Sequence, residues 1–150
     1  MSYTPENYTA QLMLGIAKYL DTSGFAVLRM DDPYEPGERG IYFETHPALD
    51  TPSPIEALTI SPYQAGSGRM AIEVTRIQIR MRHVNRGKLE VRDRMDKLKG
   101  LFPDERVMVF GNHFIDRVNQ TSATNWVDPD RQGITESSQN FNFRGNRYQP

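Results

Sequence analysis

Residues 70–82, MAIEVTRIQIRMR, and residues 89–102, LEVRDRMDKLKGLF, decide the fold: a long alternating strand passes through Gly87 into an amphipathic helix. Side chains alternate between the two faces of a strand. Met70, Ile72 and Val74 therefore share one side, and Ile77, Ile79 and Met81 join them only if the register shifts. A β-bulge at Thr75-Arg76, with its one unpaired residue, would bend the strand and put both sets on one core face. In the second stretch Val91, Met95, Leu98 and Phe102 recur at helical spacing, and Pro103, which has no N–H to donate, closes the helix. One face of that helix must lie on the sheet.

Working outward, Thr4-Pro5-Glu6 has the order of a helix start: a hydroxyl N-cap, a proline at the first helical position and an acid at the positive end. That helix is expected to run to about Asp21 with Leu12, Ile16, Tyr19 and Leu20 as its apolar stripe, and Gly24 is placed to end it in a left-handed turn. Phe25-Ala26-Val27-Leu28 is predicted as a short strand. Residues 31–40, with two prolines and two glycines, form a loop long enough to reach outward. Ile41 to Glu44 is extended, residues 46–54 form a second proline-rich loop, and residues 56–61 alternate as a strand. Gln64-Ala65-Gly66-Ser67-Gly68 is a flexible turn into the long strand.

Beyond the second helix, Arg106 to Gly111 is predicted as a strand that His113 to Val118 extends or bends. Asn119 to Gly133 is polar and expected to be loop. In the last segment Phe141 and Phe143 alternate with Asn140 and Asn142, which predicts a strand with its phenylalanines inward and a loose tail after Gly145. No internal repeat appears. The order helix, strands, helix, strands predicts a single α+β domain over residues 1–150, a mainly antiparallel twisted sheet with both helices packed on one face. Leu12, Ile16, Leu20, Ile77, Ile79, Met95, Leu98 and Phe102 are expected to be buried together.

Composition restricts function. The chain has 150 residues, 37% hydrophobic, with a formal charge of −1, which argues against a surface built throughout to coat nucleic acid. No apolar run approaches the ~18 residues of a membrane span, and the start lacks signal-peptide order, so a soluble protein with no membrane partner is expected. Without cysteine there is no disulfide, thiolate nucleophile or cysteine-held zinc. His46, His83 and His113 are scattered with no metal-ligand spacing. Ser67 lacks the GxSxG elbow, Gly66-Ser67-Gly68 precedes no helix, and Asp128 and Asp130 lack the further ligands of a calcium loop. No catalytic residue, metal or cofactor is expected.

The charge is segregated. Residues 31–58 hold seven acids against Arg39 alone, a net of −6, and residues 80–99 hold eight Lys or Arg against three acids, a net of +5. Such runs form solvated surface, or they form an interface in which the acidic loop of one copy meets the basic corner of the next. The candidate inter-subunit or partner contacts are Asp31, Asp32, Glu35, Glu38, Arg80, Arg82, Arg86 and Trp126. Trp126, alone in a polar loop, either anchors that loop or waits for a partner. Arg80, Arg82, Arg86, Lys88 and Arg92 could contact phosphates, but no aromatic platform accompanies them.

The strand QIRMR at residues 78–82, the helix VRDRMDKLKGLF at residues 91–102 and the segment NWVDPDRQGITESSQNFNF at residues 125–143, in this order, resemble the tail-terminator or tail-completion proteins of tailed bacteriophages, often labelled minor capsid proteins. The resemblance covers nearly all of the chain. It departs where the family commonly has Leu-Gly before the loop aspartate and this chain has Trp126-Val127 before Asp128. It implies a non-enzymatic virion protein, assembled in the host cytoplasm. Such a protein forms a homo-hexameric ring on the tail tube protein, stops tube growth and joins the tail to the head connector or neck protein. Non-specific contact with DNA passing through the ring is left open by it. The alternatives are a neck or head-completion protein, a small nucleic-acid-binding domain and, more distantly, a hydrolase.

Overall fold

The computed structural model describes residues 3–48, 55–64, 72–104, 106–121, 124–127 and 133–146. Its centre is a long antiparallel pair, β3 (Ile72–Val84) and β7 (Ile134–Asn146), joined rung by rung over 13 residues with no register shift. Around it the sheet runs β1 (Gly40–Phe43), β2 (Ala57–Gln64), β3, β7, β5 (His113–Gln120), β4 (Met108–Phe110), with β6 (Asn125–Val127) also on β7. Only β1 with β2 is parallel among these pairings. Helices α1 (Tyr8–Thr22) and α2 (Lys88–Gly100) contribute to one continuous buried cluster with the inner face of the sheet. This is the α+β, mainly antiparallel fold that the pattern predicts.

The expected bulge in the long strand is not there. Thr75, Ile77, Ile79, Met81 and His83 follow one another on the inner face, so Thr75 occupies the core position and Val74 turns to the other side. The irregularity falls on the neighbour: Pro62 and Gln64 of β2 pair with Ile77 and Arg76, leaving Tyr63 as the extra residue. An unbroken β7 partner forbids a bulge on β3, so the shorter strand absorbs the mismatch. Met70 lies outside the described residues, as do Ala65 to Gly68, most of the Asp128 to Gly133 segment and the tail after Asn146.

Helix α1 starts later than the Thr4-Pro5-Glu6 signature predicts. Its N-cap is Asn7, and the Pro5 carbonyl accepts from the side-chain amide of Gln11 at 3.2 Å instead of from a helical N–H. At its other end Gly24 takes φ +78°, the left-handed turn expected of it. Phe25 to Leu28 does not form a strand; Val27 makes a single parallel bridge to Gly40. The ladder cannot extend toward Phe25, because that carbonyl is taken by the guanidinium of Arg39, which also lies 4.4 Å over the Phe25 ring. Helix α2 begins after Gly87, with Glu90 in its first turn and Lys97 and Lys99 in its last, each complementing the helix dipole. It ends at Gly100, so Phe102 lies just past it, still buried.

Phe102 is the hinge of the core. Its ring sits 5.1 to 6.0 Å from those of Tyr19, Phe110, Phe141 and Phe143. The Tyr19 hydroxyl donates to the Leu101 carbonyl at 2.5 Å, which satisfies a backbone acceptor at the end of α2 and ties the two helices together. All eight residues expected in the core belong to the buried cluster. The expected loop over 119–133 holds the end of β5 and all of β6, because the backbone of Glu136 to Ser138 needs a ladder partner beyond the reach of β5.

Two substitutions test this packing. Leu98→Ala should cost about 2 to 5 kcal/mol in denaturant unfolding, and a loss under about half a kcal/mol would mean that α2 is not seated on the sheet. Gly15→Ala should destabilise although alanine favours helix by about 1 kcal/mol. A Cβ there would lie 2.7 Å from the backbone carbon of Phe110, which cannot move without disturbing β4, and a stabilised variant would show that α1 does not rest on that strand.

Candidate interaction surfaces

The eight candidate contact residues scatter into three environments. The acidic loop is folded back on itself. Arg29 Nε and Nη2 each donate at 3.0 Å to the two carboxylate oxygens of Glu38, whose Oε1 also accepts from the Glu35 N–H at 2.6 Å. The Arg29 hydrogen bond, then the Glu35 one, holds the Glu38 carboxyl below its ordinary range. Tyr34 fastens the base of the loop: its hydroxyl donates to the Ile41 carbonyl at 2.5 Å and its ring covers Gly40, where a Cβ would come within 2.7 Å. Glu38 is therefore occupied in holding the loop, whereas Asp31, Asp32 and Glu35 remain exposed on it.

The basic corner divides in two. Arg80 and Arg82 point to the sheet face opposite the helices, where Arg80 Nη2 reaches the Glu44 carbonyl at 3.5 Å and Arg82 Nη2 donates to the Pro47 carbonyl at 2.9 Å. Arg82 is 4% exposed, so it is no surface contact, a correction to the expectation that followed from its charge run. The loop after β1 covers it, and that cover could not be seen without the β1–β2–β3 register. Arg86 sits instead on the helix side, 3.1 Å from Glu56 and 3.2 Å from Glu90. Acidic and basic segments thus meet inside one chain, at Glu56.

Glu56 opens a polar relay. Its Oε2 accepts from Arg94 Nη1 at 2.5 Å, and the same nitrogen donates to His83 Nδ1 at 3.2 Å. Nε2 of His83 then carries the proton and donates to Ser137 Oγ at 2.8 Å, whose hydroxyl donates to the Met95 sulfur at 3.0 Å. Burial pushes the Glu56 carboxyl up, but the Arg94 and Arg86 hydrogen bonds and charges outweigh it and hold the group below its ordinary value. Burial first, then the charge of Arg94, lowers His83 from 6.5 to about 4. His46, bonded to Thr59 Oγ1 at 2.6 Å, is lowered to about 4 by burial and by Arg80 and Arg82. The Glu90 to Arg94 spacing was visible on the helix, but nothing in the sequence marked His83 and Ser137 as facing each other.

Trp126 is half-buried on β6, opposite Ser137 of β7, and the Arg92 guanidinium of α2 lies 4.9 Å above its ring. Among the described residues no three of His, Asp and Glu converge to hold a metal, and no helix is long and apolar enough to cross a membrane. Of the large exposed apolar side chains, Tyr3, Ile55, Tyr63 and Leu89 are scattered, Val107, Val109 and Phe114 cluster at the β4–β5 edge, and Met30 lies beside α1.

No protein-family model and no curated protein matches the sequence. Among solved structures, a chain in the virion of a native gene transfer agent particle shares the fold. Its TM-score is 0.51 at 8% identity, covering 71% of this chain and 78% of that one.

The relay predicts a pH dependence. An unfolded imidazole gains its proton near 6.5, whereas folded His83 resists protonation to about 4, so its contribution to stability is full above about 6.5 and is lost as pH falls toward about 4. Thermal unfolding should therefore show a falling stability across that window, and His83→Asn should flatten the slope. An unchanged slope would mean that His83 is protonated in the folded state.

Proposed function

We propose that this chain is a structural component of a phage-like particle, one that forms a ring at the end of the tail tube and joins the tail to the head connector. One observation carries the reading: the fold is similar to that of a chain of a gene transfer agent virion, a phage-like particle. The tail-terminator resemblance of the β3–α2 unit and of the segment leading into β7 points to the same setting. The chemistry is consistent with a role in assembly. The relay's His83 is buried and engaged on both ring nitrogens, which suits a structural tie and leaves it no access to a substrate.

A second reading, contact with nucleic acid, is favoured by the outer face of the sheet. Arg76 and Arg80 lie along β3 there, and Arg117 and Arg144 pair across β5 and β7. Amides at Gln78, Asn140 and Asn142 fill the rows between. That surface suits phosphates more than an apolar partner. It would show as DNA affinity that falls steeply with salt.

The test is removal of the gene from the particle that encodes it, with particles scored by electron microscopy. Overlong tails with unjoined heads, restored by the wild-type chain in trans, are the expected outcome. Tails of normal length left unjoined would instead favour the head-completion role, and normal infectious particles would sink both.

A further inference from the structure

Two apolar features of the described surface are left open by the monomer. The first is a knob. Met108, Phe110, His113 and Ile115 take the inner face of the β4–β5 pair, so alternation turns Val107, Val109 and Phe114 outward. Val109 stands directly across from Phe114, and the three are 53, 56 and 59% exposed in chain order. The second is a cavity of about 240 Å³ walled by Ala10, Met13 and Leu14 of α1 together with Met30, Phe43 and neighbouring residues. Among the described residues, Glu44 is its only charged lining residue. Such walls give water few hydrogen bonds, so the favoured occupant is an apolar side chain.

The placement of the two decides what fills the cavity. β4 and β1 are the opposite edges of the sheet. The knob is on the outer face at one edge, and the cavity is on the helix side at the other, beside Phe43 of β1. They cannot meet within one chain, and a two-fold pair that sets each patch against itself would leave the cavity empty. A head-to-tail contact uses both at once. We infer that the knob of one copy, led by Phe114, seats in the α1–β1 cavity of a second copy of this chain.

The charges near each feature agree with that pairing. Asp31 and Asp32 follow Met30 at the cavity, and Arg106 precedes Val107 at the knob, an arrangement that steers orientation more than it adds affinity. β4 has three residues, too few for backbone pairing to dominate, so the side chains carry the contact. Three side chains cover less than the roughly 800 Å² per partner of a stable pair. A single contact is thus weak, and assembly gains when every copy contributes both a knob and a cavity, as in a closed ring. The inference rests on the ring reading above and names its contact.

Sedimentation and native mass spectrometry of the full chain over a concentration series test it. Wild type should form higher oligomers as concentration rises, and Phe114→Asp and Met30→Asp should each stay monomeric, at least tenfold weaker in association. Mixed in equal amounts at the top of the concentration series, where even a single weak contact is populated, the two variants should form a one-to-one pair that neither forms alone, because the intact Phe114 of one still finds the intact cavity of the other. Ala10→Phe, which plugs the cavity from an exposed helix position, should act like Met30→Asp, and circular dichroism identifies any variant that fails to fold. A wild type that is monomeric throughout, single variants that assemble normally, or a mixture without the pair overturns the inference; so does a Phe114-dependent complex with a different particle protein in place of self-association. Pairing in the mixture alongside normal particles after gene removal would keep this contact and reject the tail role.

Discussion

The thirteen-rung pairing of β3 with β7 is the constraint on which the rest of this structure depends. Because side chains alternate with period two, a slip of one residue would exchange the inner and outer faces of both strands. With the register fixed, Ile77 and Thr75 stand opposite Phe141 and Phe143, and Met81 and His83 stand opposite Ser137 and Thr135. The inner face is apolar at one end and polar at the other. Phe102 and the stripe of α1 cover the apolar end. The polar end needs partners, since a buried donor or acceptor left unmade costs about 1 to 3 kcal/mol. Arg94 and Met95 of α2, with Glu56 at the start of β2, supply them. The charged corner at Glu56 is a consequence of where the ladder puts His83.

This explains how much of the chain was legible in its sequence. Periodicity located both helices, the inward phenylalanines of β7 and all eight core residues, because each of those signals is local. The bulge was misplaced because Thr75 in the core contradicts a rule of apolar faces. It is an unbroken partner more than sixty residues away that forces Thr75 inward. The start of α1 was placed too early and the strand predicted at Phe25 to Leu28 shrinks to one bridge for a related reason. The side chains of Gln11 and Arg39 took the carbonyls that regular structure would have used. β6, at three residues, has no periodicity to detect and exists only because β7 offers a free edge there.

The candidate contacts show the same division. A charge run records only that acids or bases are close in sequence, and the fold then spends much of that charge internally. Glu38 closes its own loop, Arg86 and Glu56 join strand to helix, and Arg82 disappears beneath the segment after β1. What remains exposed of the acidic loop is Asp31, Asp32 and Glu35. Exposed ion pairs contribute only ~0 to 1 kcal/mol each, so these residues orient a partner better than they hold one.

Apolar surface is the stronger source of association, and it could not be foreseen. Val107, Val109 and Phe114 lie in segments predicted only as strands, and they are outward because Phe110, His113 and Ile115 claim the inner face. The same pleat that seats Phe110 against Tyr19, Phe102 and Phe143 therefore exposes Phe114 on the other side of the strand pair. In the proposed contact, folding and assembly draw on alternate residues of one hairpin. There a substitution at an outer position would abolish association without loosening the core, whereas one at an inner position would disturb both, because β7 pairing and the inner face together seat the hairpin that presents the knob.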